Sequence, residues 1–435
     1  MAVGIWDDPT NLYVPSSPTI RFPRDNVDED IQTEQFSAPI YPYDPDYRCR
    51  LAKVDCLYHE FDGTEWLEVA VAFRYGLDSY TQQGIDTWDV RVMWTKFQYN
   101  ANTHKWNTWG QWYSITGGDM AEANTGQTHP DLAYNSQTND LYIAWTHIIP
   151  GQSVEVRYAR SLYGTIYGGY HSLEAGNDFD TDFDGWYVSL DVGLVDGVGP
   201  STERVVAFAY TGLFPHDSGW WDFRPLVGWW DVGSGPDDDD HPPLSMLVPF
   251  MPVNGPPAGN RYDAGLVKID IPGDNAPDHG AAAVFVVDTC NPGTGTYQVY
   301  GISSLAYTGY TCIDEPGIGD IFDQATWPSL AIHNLTGNTA SVSYFAKEDG
   351  QSDWVTYATY WTIDDVGNVI YPTFIDESAQ GAFSLDVDDF MLHNWGTASS
   401  LANIGNNEYW AAWSDRMATA NPHRVRGAFG WATDQ

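Results

Sequence analysis

The chain has 435 residues, of which 59 are acidic and 19 basic, giving a formal net charge of -40 at pH 7. A field of that sign excludes a nucleic-acid binder, because phosphate contacts need a basic surface, and it disfavours anionic membranes. No apolar run is long enough to cross a bilayer as a helix, so membrane insertion is not expected.

Two readings of the acidity stay open. Self-repulsion can be screened in salty surroundings while solubility is kept, or Asp-rich loops can collect divalent cations. The start, MAVGIWDDPTNLYVP, lacks the basic and apolar regions of a signal peptide. Either a signal was removed and Met1 added, or the protein leaves its cell by another route, for instance as part of a virion. The expected setting is extracellular or on the surface of a virion or cell, in saline surroundings.

Residues 1–46 are rich in Pro and Asp and carry no repeat. They hold an acidic run over 25–30 and a short apolar piece over 38–43, and they are expected to form an N-terminal arm. From residue 47 onward the chain reads as short strands. Aromatic residues make up 15% of it, and no sustained 3.6-residue apolar period appears, which favours sheets over helices. The first group is RLAKVDCLY (50–58), WLEVAVAFRY (66–75) and DVRVMWTKF (89–97), with a fourth strand over 105–114. The clearest group follows, with strands at 130–134, 141–145 and 154–159 separated by turn residues at 135–140 and 150–153.

The same three patterns return in the same order four more times. They read YVSLDVGLV, RVVAFAYTG and DFRPLVGWW from residue 187, then YDAGLVKID, AAAVFVVDT and YQVYGISSL from 262. WPSLAIH, TASVSYFAK and WVTYATYWT follow from 327, and GTASSLANIG, EYWAAWSDR and RVRGAFGWA from 396. Leu51, Leu132, Leu190, Leu266, Leu330 and Leu401 mark the first strand, about 60–80 residues apart. Sheets too apolar on both faces to stand alone must stack. The expected fold is therefore all-β, a β-propeller of six blades over residues 47–435, with seven blades as the alternative. The sixth group ends at its third strand. A free edge there is avoided if part of residues 35–43 closes the ring as the fourth strand, since Pro39 and Pro42 are tolerated at an outer edge.

Four cysteines are present: Cys49, Cys56, Cys290 and Cys312. Cys49 and Cys56 lie too far apart on one strand to pair. Mostly free thiols are expected, with Cys290 and Cys312 the one pair worth checking.

Three constellations could carry chemistry. Asp180, Asp182 and Asp184, followed by Gly185 and Trp186, put carboxylates at positions 1, 3 and 5 of a loop with Gly at 6 and a backbone carbonyl at 7. That spacing wraps oxygens around Ca²⁺, and it resembles the calcium loops of EF-hands and integrin-type propellers. It departs from them in having Val188 at position 9 and Asp191 at 12, and the alternative is one more acidic loop. Arg91, Arg157, Arg224 and Arg426 recur in the third strand, three of them two residues after an acid. They are expected to be buried and to hold one blade to the next, the alternative being a cationic ring for an anion. His129, His147, Trp327, Arg74, Glu348, Asp415 and Arg416 fall at strand ends that share one face in a propeller. They could bind a sugar with acid/base groups at hand, or be ordinary polar residues at strand ends.

The hPxLAxN…LYIAW pattern is similar to repeats of the sialidase-like (BNR-type) propeller superfamily, which includes sialidases, polysaccharide lyases and binding modules. The S-x-D-x-G-x-T-W boxes of sialidases do not occur here. Ile20–Arg21–Phe22–Pro23 looks like their arginine motif with Phe in place of Ile. The function expected is a binding or assembly module, whose partner is a glycan or another protein subunit. Aromatic loops such as Trp220–Trp221 suit sugar stacking. The alternative is a polysaccharide lyase or glycosidase with its site at the channel mouth.

Overall fold

The structure is a computed structural model. It describes residues 2–6, 17–22, 32–34, 47–77, 81–103, 105–108, 112–115, 125–149, 153–162, 164–172, 184–196, 202–215, 221–232, 246–247, 264–288, 297–302, 310–314, 322–334, 336–348, 354–363, 373–380, 400–405, 408–415 and 424–431. These are almost wholly strands, every pairing between them is antiparallel, and they fall into two compact units, Met1–Leu173 and Glu174–Gln435.

The first unit holds three sheets. An N-terminal sheet is made of β1 (Ala2–Trp6), β2 (Ser17–Phe22) and β3 (Gln32–Glu34), so the expected arm has strands of its own, and β1 lies beside β4. Sheet I is a meander of β4 (Tyr47–Phe61), β5 (Thr64–Leu77), β6 (Asp89–Asn100) and β7 (Lys105–Thr108), with β8 (Tyr113–Ser114) also on β6. One helical turn, α1 (Gln82–Ile85), lies between β5 and β6. Sheet II is β9 (Gly126–Asn135), β10 (Asp140–Ile149), β11 (Ser153–Leu162) and β12 (Thr165–Ser172).

The second unit repeats the meander. Sheet III is β13 (Asp184–Val195), β14 (Glu203–Pro215), β15 (Trp221–Asp231) and β16 (Met246–Leu247). Sheet IV is β17 (Ala264–Asp270), β18 (Ala282–Asp288), β19 (Tyr297–Ile302) and β20 (Tyr310–Cys312). Sheet V is β21 (Phe322–Ile332), β22 (Thr339–Glu348), β23 (Trp354–Thr362) and β24 (Thr373–Gln380). Sheet VI is β25 (Ser400–Gly405), β26 (Glu408–Asp415) and β27 (Arg424–Trp431). Residues 35–43, expected to close the last sheet, lie outside the described residues.

Sheet IV shows why such strands must be stacked. Successive side chains of β18 point to opposite faces. Ala283, Phe285 and Val287 pack with Val205, Ala207 and Ala209 of sheet III, while Ala282 and Val284 pack with Val342, Tyr344 and Trp361 of sheet V. In the first unit, Ala70, Ala72, Val90 and Val92 of sheet I meet Leu132, Leu141, Ile143 and Trp145 of sheet II.

Two devices recur that the strand patterns did not announce. The first strand of sheets I to V bulges at one register position, where Leu51, His129, Tyr187, Leu266 and Trp327 take the left-handed conformation, φ 46 to 56°. Opposite each bulge stands a single aromatic residue of the second strand: Phe73, Trp145, Tyr210, Phe285 or Tyr344, each at most 1% exposed. A left-handed non-glycine residue costs about 1–2 kcal/mol. Burying the facing ring returns about 1.5–3 kcal/mol, so the pair is sustainable.

The second device is an aspartate four residues past the bulge. Its carboxylate accepts a backbone N–H from the next sheet, always five residues past that sheet's bulge. Asp55 takes Tyr134 N at 2.7 Å, Asp191 takes Ile271 N at 2.6 Å, and Asp270 takes Ile332 N at 2.5 Å. The second oxygen of Asp55 and of Asp191 accepts the following N–H of its own strand, each at 2.8 Å. A carboxylate shared in this way fixes the register of one sheet against the next.

Candidate functional site

The polar residues singled out in the first unit gather at one end of sheets I and II, where the first strand begins and the second ends. Arg74 stands two residues beyond Ala72 on β5, so it continues the face that packs on sheet II. It is 1% exposed, and its guanidinium lies 4.2 Å above the ring centre of Trp88. Trp88 is itself fixed. Its indole N–H donates to the Leu77 carbonyl at 2.9 Å, and its own carbonyl accepts Gln127 N at 2.8 Å. The Gln127 side chain accepts Val90 N at 3.1 Å, which ties the start of β9 to β6. Gly76 makes the close approach possible, since a Cβ there would come within 2.8 Å of the Thr87 carbonyl and the Trp88 ring.

His147 stands opposite Gln127 on one side and Glu155 on the other, and it is wholly buried. Thr128 and Thr146 face each other beside it, both buried, and His129 occupies the bulge. Arg157 donates from Nε to Glu155 at 3.0 Å and lies 4.5 Å from the ring centre of Tyr170. Chemically, this is a polar cap on an apolar interface, with each charge already given a ring or an acid.

The other candidates belong to the second unit. Trp327 is half-buried and holds the same bulge position in sheet V as His129 does in sheet II. Glu348 pairs with Phe322 and Asp415 with Arg424, both at strand ends. Arg416 lies outside the described residues, as do Asp180 and Asp182. Asp184 opens β13 opposite Leu213, and Trp186 pairs with Thr211, so the end of the acidic motif is already strand. Among the described residues no group of three His, Cys, Asp or Glu side chains is placed to hold a metal. Cys312 is a free thiol that donates to Asp314 at 3.2 Å, and Cys56 is also free.

Of the repeated arginines, Arg157 is buried and Arg91 half-buried, and each pairs with the acid two residues back on its own strand, Glu155 for Arg157 and Asp89 for Arg91. Arg91, Arg157 and Arg426 stand opposite Phe73, Trp145 and Trp413, whereas Arg224 stands opposite Gly212. In sheet III it is Leu226 that faces the aromatic Tyr210, so Arg224 is two residues out of step.

Sequence reasoning missed two further clusters in the first unit. Glu68, 1% exposed, accepts Trp94 Nε1 at 3.1 Å and pairs with Lys96 at 2.8 Å. Burial pushes the Tyr134 hydroxyl well above its ordinary pKa, and the carboxylates of Glu68 and Asp55 push it further. The second cluster is open. At the hairpin end of sheet I, Tyr58 is 54% and Phe61 74% exposed. Tyr58 meets Trp106 edge to face with ring centres 6.5 Å apart, and Trp106 tilts against Tyr99 at 5.2 Å.

No family model matches the chain, and no curated relative matches it. Solved structures do. The Hadza microbial sialidase Hz136 is 12% identical with a TM-score of 0.41, over 85% of this chain and 64% of its own. A Trypanosoma rangeli sialidase in complex with the inhibitor DANA is 11% identical with a TM-score of 0.42, over 96% of this chain and 58% of its own. The GH93 α-L-arabinofuranosidase of Fusarium graminearum, in complex with arabinobiose, is 12% identical with a TM-score of 0.44, over 91% of this chain and 96% of its own. Sialidases, the family that the repeat pattern resembles, are thus among the structures to which the chain is similar. The chain spans about three fifths of the length of these sialidases, from the 64% and 58% above. No residue role is carried over from them.

Proposed function

We propose that the chain is a binding module of the β-propeller type whose ligand is a glycan. The observation that carries this reading is the contrast in the first unit between engaged polar groups and open rings. Arg74 and His147, both candidates for a sugar site, are buried within the interface of sheets I and II, while the rings of Tyr58 and Phe61 are exposed to solvent. Aromatic faces are what the apolar side of a sugar packs on. The six repeat sheets serve as the blades. On the same reading Asp180, Asp182 and Asp184 take up Ca²⁺, and the acidic surface works outside the cell in saline surroundings.

A glycan array on the full chain, run beside a reducing-end assay on the glycans that bind, tests this. Binding with no release of reducing ends is expected. Catalytic release would replace the module with a glycosidase, and failure to retain any glycan would remove the ligand class.

A further inference from the structure

We infer that the hairpin end of sheet I is a stacking platform for an uncharged glycan chain, an inference that rests on the glycan-binding reading above. One face of sheet I is an apolar layer of Leu67, Val69, Val71, Phe73, Met93 and Phe97. Toward the hairpin that layer runs on into rings. Tyr58 stands opposite Leu67, and Tyr99 follows Phe97 by two residues and pairs with Trp106. The layer is covered over the core, but it ends open at Tyr58. Apolar ring area left in water is area that a partner can still bury.

The platform is held in shape. Trp106 is fixed between Tyr58 and Tyr99. Little side-chain freedom is left to lose on binding.

Charge selects the occupant. Residues 54–73 contain Asp55, Glu60, Asp62, Glu65 and Glu68 and neither Lys nor Arg, and Lys96 on the neighbouring strand is held by Glu68. An anionic polymer, whether uronate, sulfated glycan or nucleic acid, is repelled. A second copy of the chain would bring its own charge of -40 to the same place. A neutral sugar chain meets both demands. Its C–H faces pack on the rings, and its hydroxyls donate to the exposed Glu60 carboxylate and to Glu65.

The test titrates the full chain calorimetrically with cellohexaose and xylohexaose, and with hexagalacturonate as the anionic probe. At least one neutral hexamer is expected to bind and hexagalacturonate is not. Tyr58→Ala and Trp106→Ala should each weaken binding about tenfold, with Tyr58→Phe close to wild type. Because Trp106→Ala removes a half-buried ring, melting curves confirm the fold of each variant, and Phe61→Ala, on the opposite face of the sheet, should bind as wild type. Neutral binding unchanged in Tyr58→Ala would overturn the platform and leave the glycan reading standing. Binding of hexagalacturonate lost in Tyr58→Ala would overturn the uncharged class. Dimers in sedimentation that Tyr58→Ala dissolves would give the rings to a second copy. Absence of binding by every hexamer would overturn both readings.

Discussion

The two ends of the first unit solve opposite problems. Where sheets I and II begin, Arg74, Gln127 and His147 are polar and at most 1% exposed. At the hairpin end of sheet I, Tyr58 and Phe61 are aromatic and open. A guanidinium can be buried there because its flat face rests on the Trp88 ring. Tyr58 stays open because the apolar layer beneath it has already ended. The lesson is that residue type alone misassigns these ends. Arginine and histidine look like chemistry in the sequence, yet here they seal an interface.

Four expectations sharpen or break that contrast. The largest effect belongs to Arg74→Ala, which strips a buried side chain from between Trp88 and its neighbours. It should cost about 3 kcal/mol in denaturant unfolding. Arg74→Lys should recover only part, since an ammonium does not reproduce the flat stack. A variant as stable as wild type would show that the polar end is not structural.

Asp191→Ala should cost about 2 kcal/mol, because it leaves the Ile271 N–H without its carboxylate. Asp62→Asn, at an exposed turn whose left-handed backbone both residues accept, serves as the control and should change little. Equal effects of the two would remove the register role.

Alkaline pH should act next. Burial pushes the Tyr142 hydroxyl up to about 12. The unfolded chain therefore loses that proton near pH 10 while the folded protein keeps it. Stability from this group is complete below about pH 10 and falls as pH rises toward 12. Tyr142→Phe should flatten that fall, and a melting temperature with unchanged pH dependence would argue against it. The smallest effect is expected for Tyr58→Ala, within about 0.5 kcal/mol of wild type. A large loss would mean that the open rings support the fold.

Much of the strand order was legible, because apolar runs bounded by turn residues repeat in one order, as in 281–287 with its two buried faces. The bulge was not. Leu51, His129, Tyr187, Leu266 and Trp327 share no side-chain chemistry, since the ladder rather than propensity imposes their left-handed turn. Its partner was in plain view as one large ring in each second strand, Phe73 or Trp145 for example. The aspartate clamp was half visible. Asp55 and Asp270 are odd acids in apolar runs, but the N–H groups they hold lie 79 and 62 residues away. For Arg91 and Arg157 the acid two residues back on the strand was a legible partner.

Cellohexaose titrated calorimetrically into wild type, Tyr58→Ala and His147→Gln decides which end of the first unit meets the ligand. Binding about tenfold weaker in Tyr58→Ala and unchanged in folded His147→Gln is expected. Binding lost in His147→Gln and kept in Tyr58→Ala would contradict it.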